Sequence, residues 1–110
     1  MARPSKAHRP KRRWIGVELS PRFVERGQVE AKLAEMFSVK VRLMDVLTAQ
    51  ERNDEVGVAI LGVTLAVAPA VRDLLAHDEG WAEHGMRSVT TSGKIRLVRE
   101  RLELPRPPRR

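Results

Sequence analysis

This sequence predicts an α+β domain built on one antiparallel sheet of four strands. Three observations carry the prediction. Apolar residues recur at every second position in some segments and at every third or fourth in others, so strand and helix periods are both present. The two kinds of segment follow each other in the order β-α-β-β-α-β-α. The segment from Val56 to Leu65 is apolar at nearly every position, as in a strand buried on both faces at the centre of its sheet. The first six elements match the split βαβ, or ferredoxin-like, arrangement, with two helices on one face of the sheet. The seventh is an added C-terminal basic helix.

Each element has its own signal. Residues 1–13, "MARPSKAHRPKRR", contain Pro4 and Pro10 and no apolar period, and read as a flexible basic arm. In "WIGVEL", Trp14 to Leu19, Ile15, Val17 and Leu19 alternate with Trp14, Gly16 and Glu18, which is strand spacing. Ser20 and Pro21 read as an N-cap and first helical position. Gly27 weakens that turn, so the well-formed helix is expected from about Gln28, with Val29, Leu33, Met36 and Phe37 on one face. Val39, Val41 and Leu43 alternate again, and a bulge carries the strand on through Val46. "TAQERNDE", Thr48 to Glu55, reads as a polar turn before the central strand. Pro69 opens a second helix, with Val71, Leu74 and Leu75 inward and Arg72 and Asp73 outward. "HDEGWAEHG" reads as a loop and "MRSVTT", Met86 to Thr91, as a short strand. The last helix is expected from about Ser92 to Leu104, stopped by Pro105. One domain over residues 14–104 results, with a basic tail at 105–110.

Composition narrows the function. A chain of 110 residues with 42% apolar residues holds one core. No run of 18 apolar residues is present to span a membrane, and no apolar segment follows the basic start as in a secretory signal. There is no cysteine, hence no disulfide and no thiolate metal site. A cytoplasmic location is expected. The net charge of +7 sits at the ends. Residues 1–13 hold six basic groups and no acid, residues 87–110 hold eight against Glu100 and Glu103, and the body between is net acidic. This asymmetry points to a polyanion partner.

No catalytic constellation stands out. There is no P-loop, dinucleotide fingerprint or Ser/His/Asp triad. His77 and His84 flank Asp78, Glu79 and Glu83, but at no spacing of a known metal motif, and a solvated loop is expected there. Many domains of this topology stack RNA bases on sheet aromatics. With no tyrosine, and with Phe23 and Phe37 read as core, only Trp14 lies in a predicted strand. Recognition is therefore expected to rest on charge and shape.

"TTSGKIR" adds a second pointer. Ser92, Gly93 and Lys94 at a helix start suit an anion nest, with Lys94 adding a full charge. An ordinary N-cap by Thr91 or Ser92 explains the same residues, and pattern alone does not separate the two. Beyond them, Ile95, Val98 and Leu102 form a packing stripe, and Lys94, Arg96, Arg99 and Arg101 make cationic ridges beside it. Val58 and Ile60 point to one face of the central strand, Ala59, Leu61 and Val63 to the other, so the second face needs cover from this helix or from a partner protein.

These residues carry a resemblance. "TSGKIRLVRERL", Thr91 to Leu102, is similar to the ending of archaeal ribonuclease P protein component 2, a relative of a eukaryotic ribonuclease P and MRP subunit. That family ends its domain in a Ser-Gly-Thr-Ile step and a basic helix. Ser92, Gly93 and Ile95 match the step, Lys94 stands where the threonine would be, and Arg96, Arg99 and Arg101 match the helix. "KRRWIGVEL", Lys11 to Leu19, resembles the family's basic approach to its first strand, and "EVGVAILGV", Glu55 to Val63, its central strand. The resemblance follows most of the chain in element order and about twenty residues in wording.

The resemblance implies a ferredoxin-like protein that helps a catalytic RNA remove the 5′ leader of precursor tRNA. The protein would have no active site of its own and hold no cofactor or metal, because the RNA with its magnesium does the chemistry. Its expected partners are ribonuclease P RNA, precursor tRNA indirectly, and ribonuclease P protein component 3, a TIM-barrel-like subunit, in a hetero-oligomer. RNA contact is expected at Lys11, Arg12, Arg13, Ser92, Gly93, Lys94, Arg96, Arg99 and Arg101. Two other readings fit the composition: a small basic DNA- or rRNA-binding protein, and a ferredoxin-like regulatory domain that oligomerises through its sheet.

Overall fold

The computed structural model describes residues 11–38 and 40–104, without the side chains of 77–80. The expected arm up to Pro10, the tail from Pro105 and Val39 lie outside these residues. Nine elements follow in order: β1 (Arg12–Leu19), α1 (Arg26–Met36), β2 (Arg42–Leu47), α2 (Ala49–Arg52), β3 (Gly57–Thr64), α3 (Ala68–Leu75), α4 (His77–His84), β4 (Met86–Ser92) and α5 (Ile95–Arg101). The strands form one antiparallel sheet in the order β2-β3-β1-β4. The α+β class with a four-stranded antiparallel sheet is as the sequence predicts.

Alternation along β1 and β3 divides the interior into two. Ile15, Val17, Leu19, Ala59, Leu61 and Val63 face α1 and α3, where Val29, Leu33, Val71 and Leu75 close the main core. Phe23 is buried there and Phe37 packs at its margin. On the other face, Val58 and Ile60 meet Val98 of α5 and Leu102 at its C-cap. The C-terminal helix thus supplies the cover that the second face needed. Gly16 permits the close approach: a Cβ there would lie 2.8 Å from Thr90 Cγ2 and 2.9 Å from Val98 Cγ1.

Each edge strand carries one bulge. On β2, Leu43 pairs with Leu61 and Asp45 with Ile60, so Met44 is the extra residue. On β4, Thr90 pairs with Gly16 and Ser88 with Val17, leaving Val89 extra and exposed. The β2 bulge shifts the alternation as expected and puts Asp45 on the α5 face.

Five local expectations are corrected. Strand β1 begins at Arg12, so Arg12 and Arg13 belong to the sheet and not to an arm. Ser20 and Pro21 make a turn, in which Ser20 Oγ accepts the Arg22 N–H, and α1 starts at Arg26 behind a Glu25–Gln28 capping box. Within the polar turn, Thr48 and Glu51 form a capping box around the one-turn helix α2, with Thr48 buried. Leu74 is exposed; the buried stripe of α3 is Ala68, Val71 and Leu75. "HDEGWAEH" is helix α4, ended by Gly85 at φ 72, a left-handed position suited to glycine. Trp81 of α4 stacks on Arg87, which in turn pairs with Glu18 across the sheet at 2.6 Å. The partly buried indole over Arg87 ties the helix to β4.

Candidate nucleic-acid interface

The topology sorts charge along the strands. Strands β1 and β2 begin, and β3 and β4 end, at the same end of the sheet. The chain segments meeting there carry Lys11, Arg12, Arg13, Lys40, Arg42, Lys94 and Arg96. No carboxylate occurs in residues 11–17, 40–44, 56–72 or 84–99. At the opposite end lie Glu18, Glu25, Glu51, Asp54 and Glu55, interspersed with Arg22, Arg52 and Arg87. The sheet therefore has one cationic end and one mixed end, with Glu30 of α1 near Lys40 and Glu35 in the last turn of α1 on the helix side of the cationic end.

Local structure fixes the cations at that end. Lys11, Arg12, Lys40, Arg42, Lys94 and Arg96 are exposed. Arg13 is partly buried: its Nη1 donates to the Arg12 carbonyl at 3.1 Å. Trp14 pairs with Ser92, which sets Arg13 beside Gly93. A Cβ on Gly93 would lie 3.0 Å from Arg13 Nη1, so the glycine makes room for the guanidinium. Lys11, Arg12, Arg13, Ser92, Gly93 and Lys94, expected from opposite ends of the sequence, are thereby brought together.

The anticipated turn differs in form. Ser92 is the last residue of β4, and α5 starts only at Ile95 with Lys94 as N-cap. Ser92 Oγ accepts the Lys94 N–H at 3.1 Å, and neither Thr91 nor Ser92 caps the helix. The helix is also shorter than expected. It closes through Glu103 at φ 58, with Leu104 N–H donating to Arg99 O at 2.9 Å and Glu103 N–H to Glu100 O at 3.1 Å, a Schellman ending.

The three arginines of α5 part ways. Arg96 is exposed. Arg99 pairs with Asp45 of β2 at 2.8 Å, and both side chains are partly buried. Arg101 donates to Thr90 Oγ1 at 2.8 Å and to the Thr91 carbonyl at 3.3 Å. Arg99 and Arg101 thus strap the helix to β2 and β4 on its two sides, while Arg96 shares the outer face with Glu100 and Glu103. Lys40 and Arg42 join the cationic end although sequence reasoning passed over them. Their signal was present in the alternating Lys40-Val41-Arg42 pattern, but only strand order places it at the same end of the sheet as the start of β1, across β3.

Among the described residues, no three His, Asp or Glu side chains gather as metal ligands. No described helix is long and apolar enough to cross a membrane. Comparison with protein-family models, with curated proteins and with solved structures finds no match.

Proposed function

We propose that the chain is an RNA-binding protein subunit of ribonuclease P, assisting the catalytic RNA in removing the 5′ leader of precursor tRNA in the cytoplasm. The observation that carries RNA binding is the carboxylate-free end of the sheet, where Lys11, Arg12, Arg13, Lys40, Arg42 and Lys94 converge from three strands. Contacts of this kind neutralise phosphates and release condensed counterions. The choice of ribonuclease P among RNA assemblies rests on the resemblance of Lys11–Leu19, Glu55–Val63 and Thr91–Leu102. Magnesium is held by the RNA in this reading, and the protein supplies positioning charge.

The partner protein also comes from the resemblance. The second sheet face, once a reason to expect a protein cover, lies under α5, so component 3 would dock elsewhere on the surface. The same burial takes away the surface that an oligomeric regulatory domain of open-sheet type would use. A DNA- or rRNA-binding protein has the same electrostatic requirement and is separated by experiment. Reconstitution of precursor-tRNA cleavage from ribonuclease P RNA, component 3 and this chain tests the proposal. Stimulation that requires this chain is expected; no stimulation, together with equal affinity for unrelated RNA or duplex DNA, overturns it.

A further inference from the structure

Arg42, Gly62, Trp14 and Ser92 form one row across the sheet, because Gly62 pairs with both Arg42 and Trp14 and Trp14 pairs with Ser92. Directly opposed residues project to the same face. Here it is the face that carries α5. The Trp14 ring reclines over Gly62: a Cβ there would lie 2.7 Å from Cζ3 and 3.2 Å from Cε3. One side of the indole is thus applied to the sheet. The helix makes its close approach one row further on, at Gly16. In the row before, Arg12 pairs with Thr64 and is exposed.

The surroundings of this ring are cationic. Arg42 lies two strands away, about 10 Å, and Arg12 two residues along, about 7 Å, by ordinary sheet spacing. Lys94 follows Ser92 on the third side. All three are exposed, and among the described residues their side chains enter no ion pair. The nearest carboxylate on β2, Asp45, is neutralised by Arg99. Trp14 is partly buried and packs at the edge of the α5 cluster, where Met44, Ile95 and Leu104 also lie; an indole at the rim of an apolar cluster, with three uncompensated cations around it, suits a π-face with phosphates on either side.

We propose that Trp14 is a stacking platform for one unpaired base of a single-stranded RNA segment, with Arg12, Arg42 and Lys94 taking the flanking phosphates. This rests on the RNA-binding reading above and gives it a substrate class. The base must be unpaired, because a ring lying along a sheet cannot reach the π-face of a base stacked within a helix. Charge alone, which the sequence suggested as the basis of recognition, then has an aromatic supplement at this one position.

The test uses the full chain with Trp81→Phe, which leaves Trp14 as its one tryptophan. Its emission is followed during titration with a short single-stranded RNA and with an abasic strand of equal phosphate count. Quenching by the RNA, with binding roughly 5- to 150-fold tighter than to the abasic strand, is the stacking result. With a fluorescent label on the strand as the readout, Trp14→Leu should lose that preference and Trp14→Phe keep most of it, which separates a lost π-face from a lost fold. Equal affinity for the two strands, or an undiminished preference in Trp14→Leu, overturns the platform while leaving RNA binding in place. No salt-dependent binding to either strand or to structured RNA overturns the RNA reading and the platform with it.

Discussion

Arg99 of α5 and Asp45 of β2 meet at 2.8 Å because a bulge turns Asp45 toward the helix and away from the main core. The pair gives one of the basic-ridge arginines a structural partner. Asp45→Asn is expected to destabilise the fold by about 0.2–1 kcal/mol, the range for partly exposed pairs. It should at the same time leave Arg99 available to phosphate. A double-mutant cycle with Arg99→Gln by denaturant melts measures the coupling, and a steeper salt dependence of RNA binding in Asp45→Asn would register the released cation.

The strapping of α5 separates two kinds of cation. Changing Lys11, Arg12, Arg42 and Lys94 together to glutamine should flatten the salt slope of RNA binding by roughly 2.8 to 3.6 units, at 0.7–0.9 per phosphate contact. The melting temperature should stay near that of the parent chain. Arg99→Gln with Arg101→Gln should do the reverse, lowering stability and changing the slope little. A slope untouched by the four changes would remove the cationic end as the RNA surface.

Burial on α5 is graded, and so are the expected costs. Leu102 is 6% exposed and Val98 fully buried, whereas Ile95 only leans on their cluster. Leu102→Ala should cost about 2–5 kcal/mol, and Ile95→Ala clearly less. Calorimetry or urea titration ranks them; an Ile95 effect equal to that of Leu102 would contradict the packing described.

Gly16→Ala probes the seat of the helix directly. The added methyl would meet Thr90 and Val98 inside 3 Å, so α5 must lift or the sheet must shift. A loss of roughly 1–3 kcal/mol is expected for such overpacking, with increased binding of a hydrophobic dye as Val58 and Ile60 open to solvent. Unchanged stability and no dye binding would mean that the helix does not rest there.

Catalysis gives the last prediction. Protein purified free of RNA should not cleave precursor tRNA at any magnesium concentration, because the proposed chemistry belongs to the RNA. Cleavage that co-purifies with the protein through an RNase-treated, denatured and refolded preparation would falsify that assignment.

What the sequence conveyed depended on range. The opposed faces of β3 were legible because side-chain direction has a period of two and both sets, Val58/Ile60 and Ala59/Leu61/Val63, are apolar. The stripe Ile95–Val98–Leu102 was legible for the matching helical reason. Helix α4 was not, since His77, Asp78, Glu79 and Gly80 break any apolar period; its one signal was Gly85 following His84, a helix-end pattern. Thr48-x-x-Glu51 likewise spelled a capping box inside what read as a turn. The start of α5 was misplaced because Thr91 and Ser92 suit an N-cap as well as they suit an edge strand. The Arg99–Asp45 contact and the placement of Arg12 and Arg42 at one end of the sheet were beyond reach, as the first depends on a bulge and both on strand order.

The two bulges also determine how the sheet can end. An edge strand offers unpaired amides and carbonyls to any other extended chain, and a regular edge invites fibrils or unintended dimers. Here both outer strands break their own repeat, β2 at Met44 and β4 at Val89. A further strand arriving at either side would find donors and acceptors out of step within a few residues. Regular sheet extension is thus disfavoured as a route to self-association at both edges.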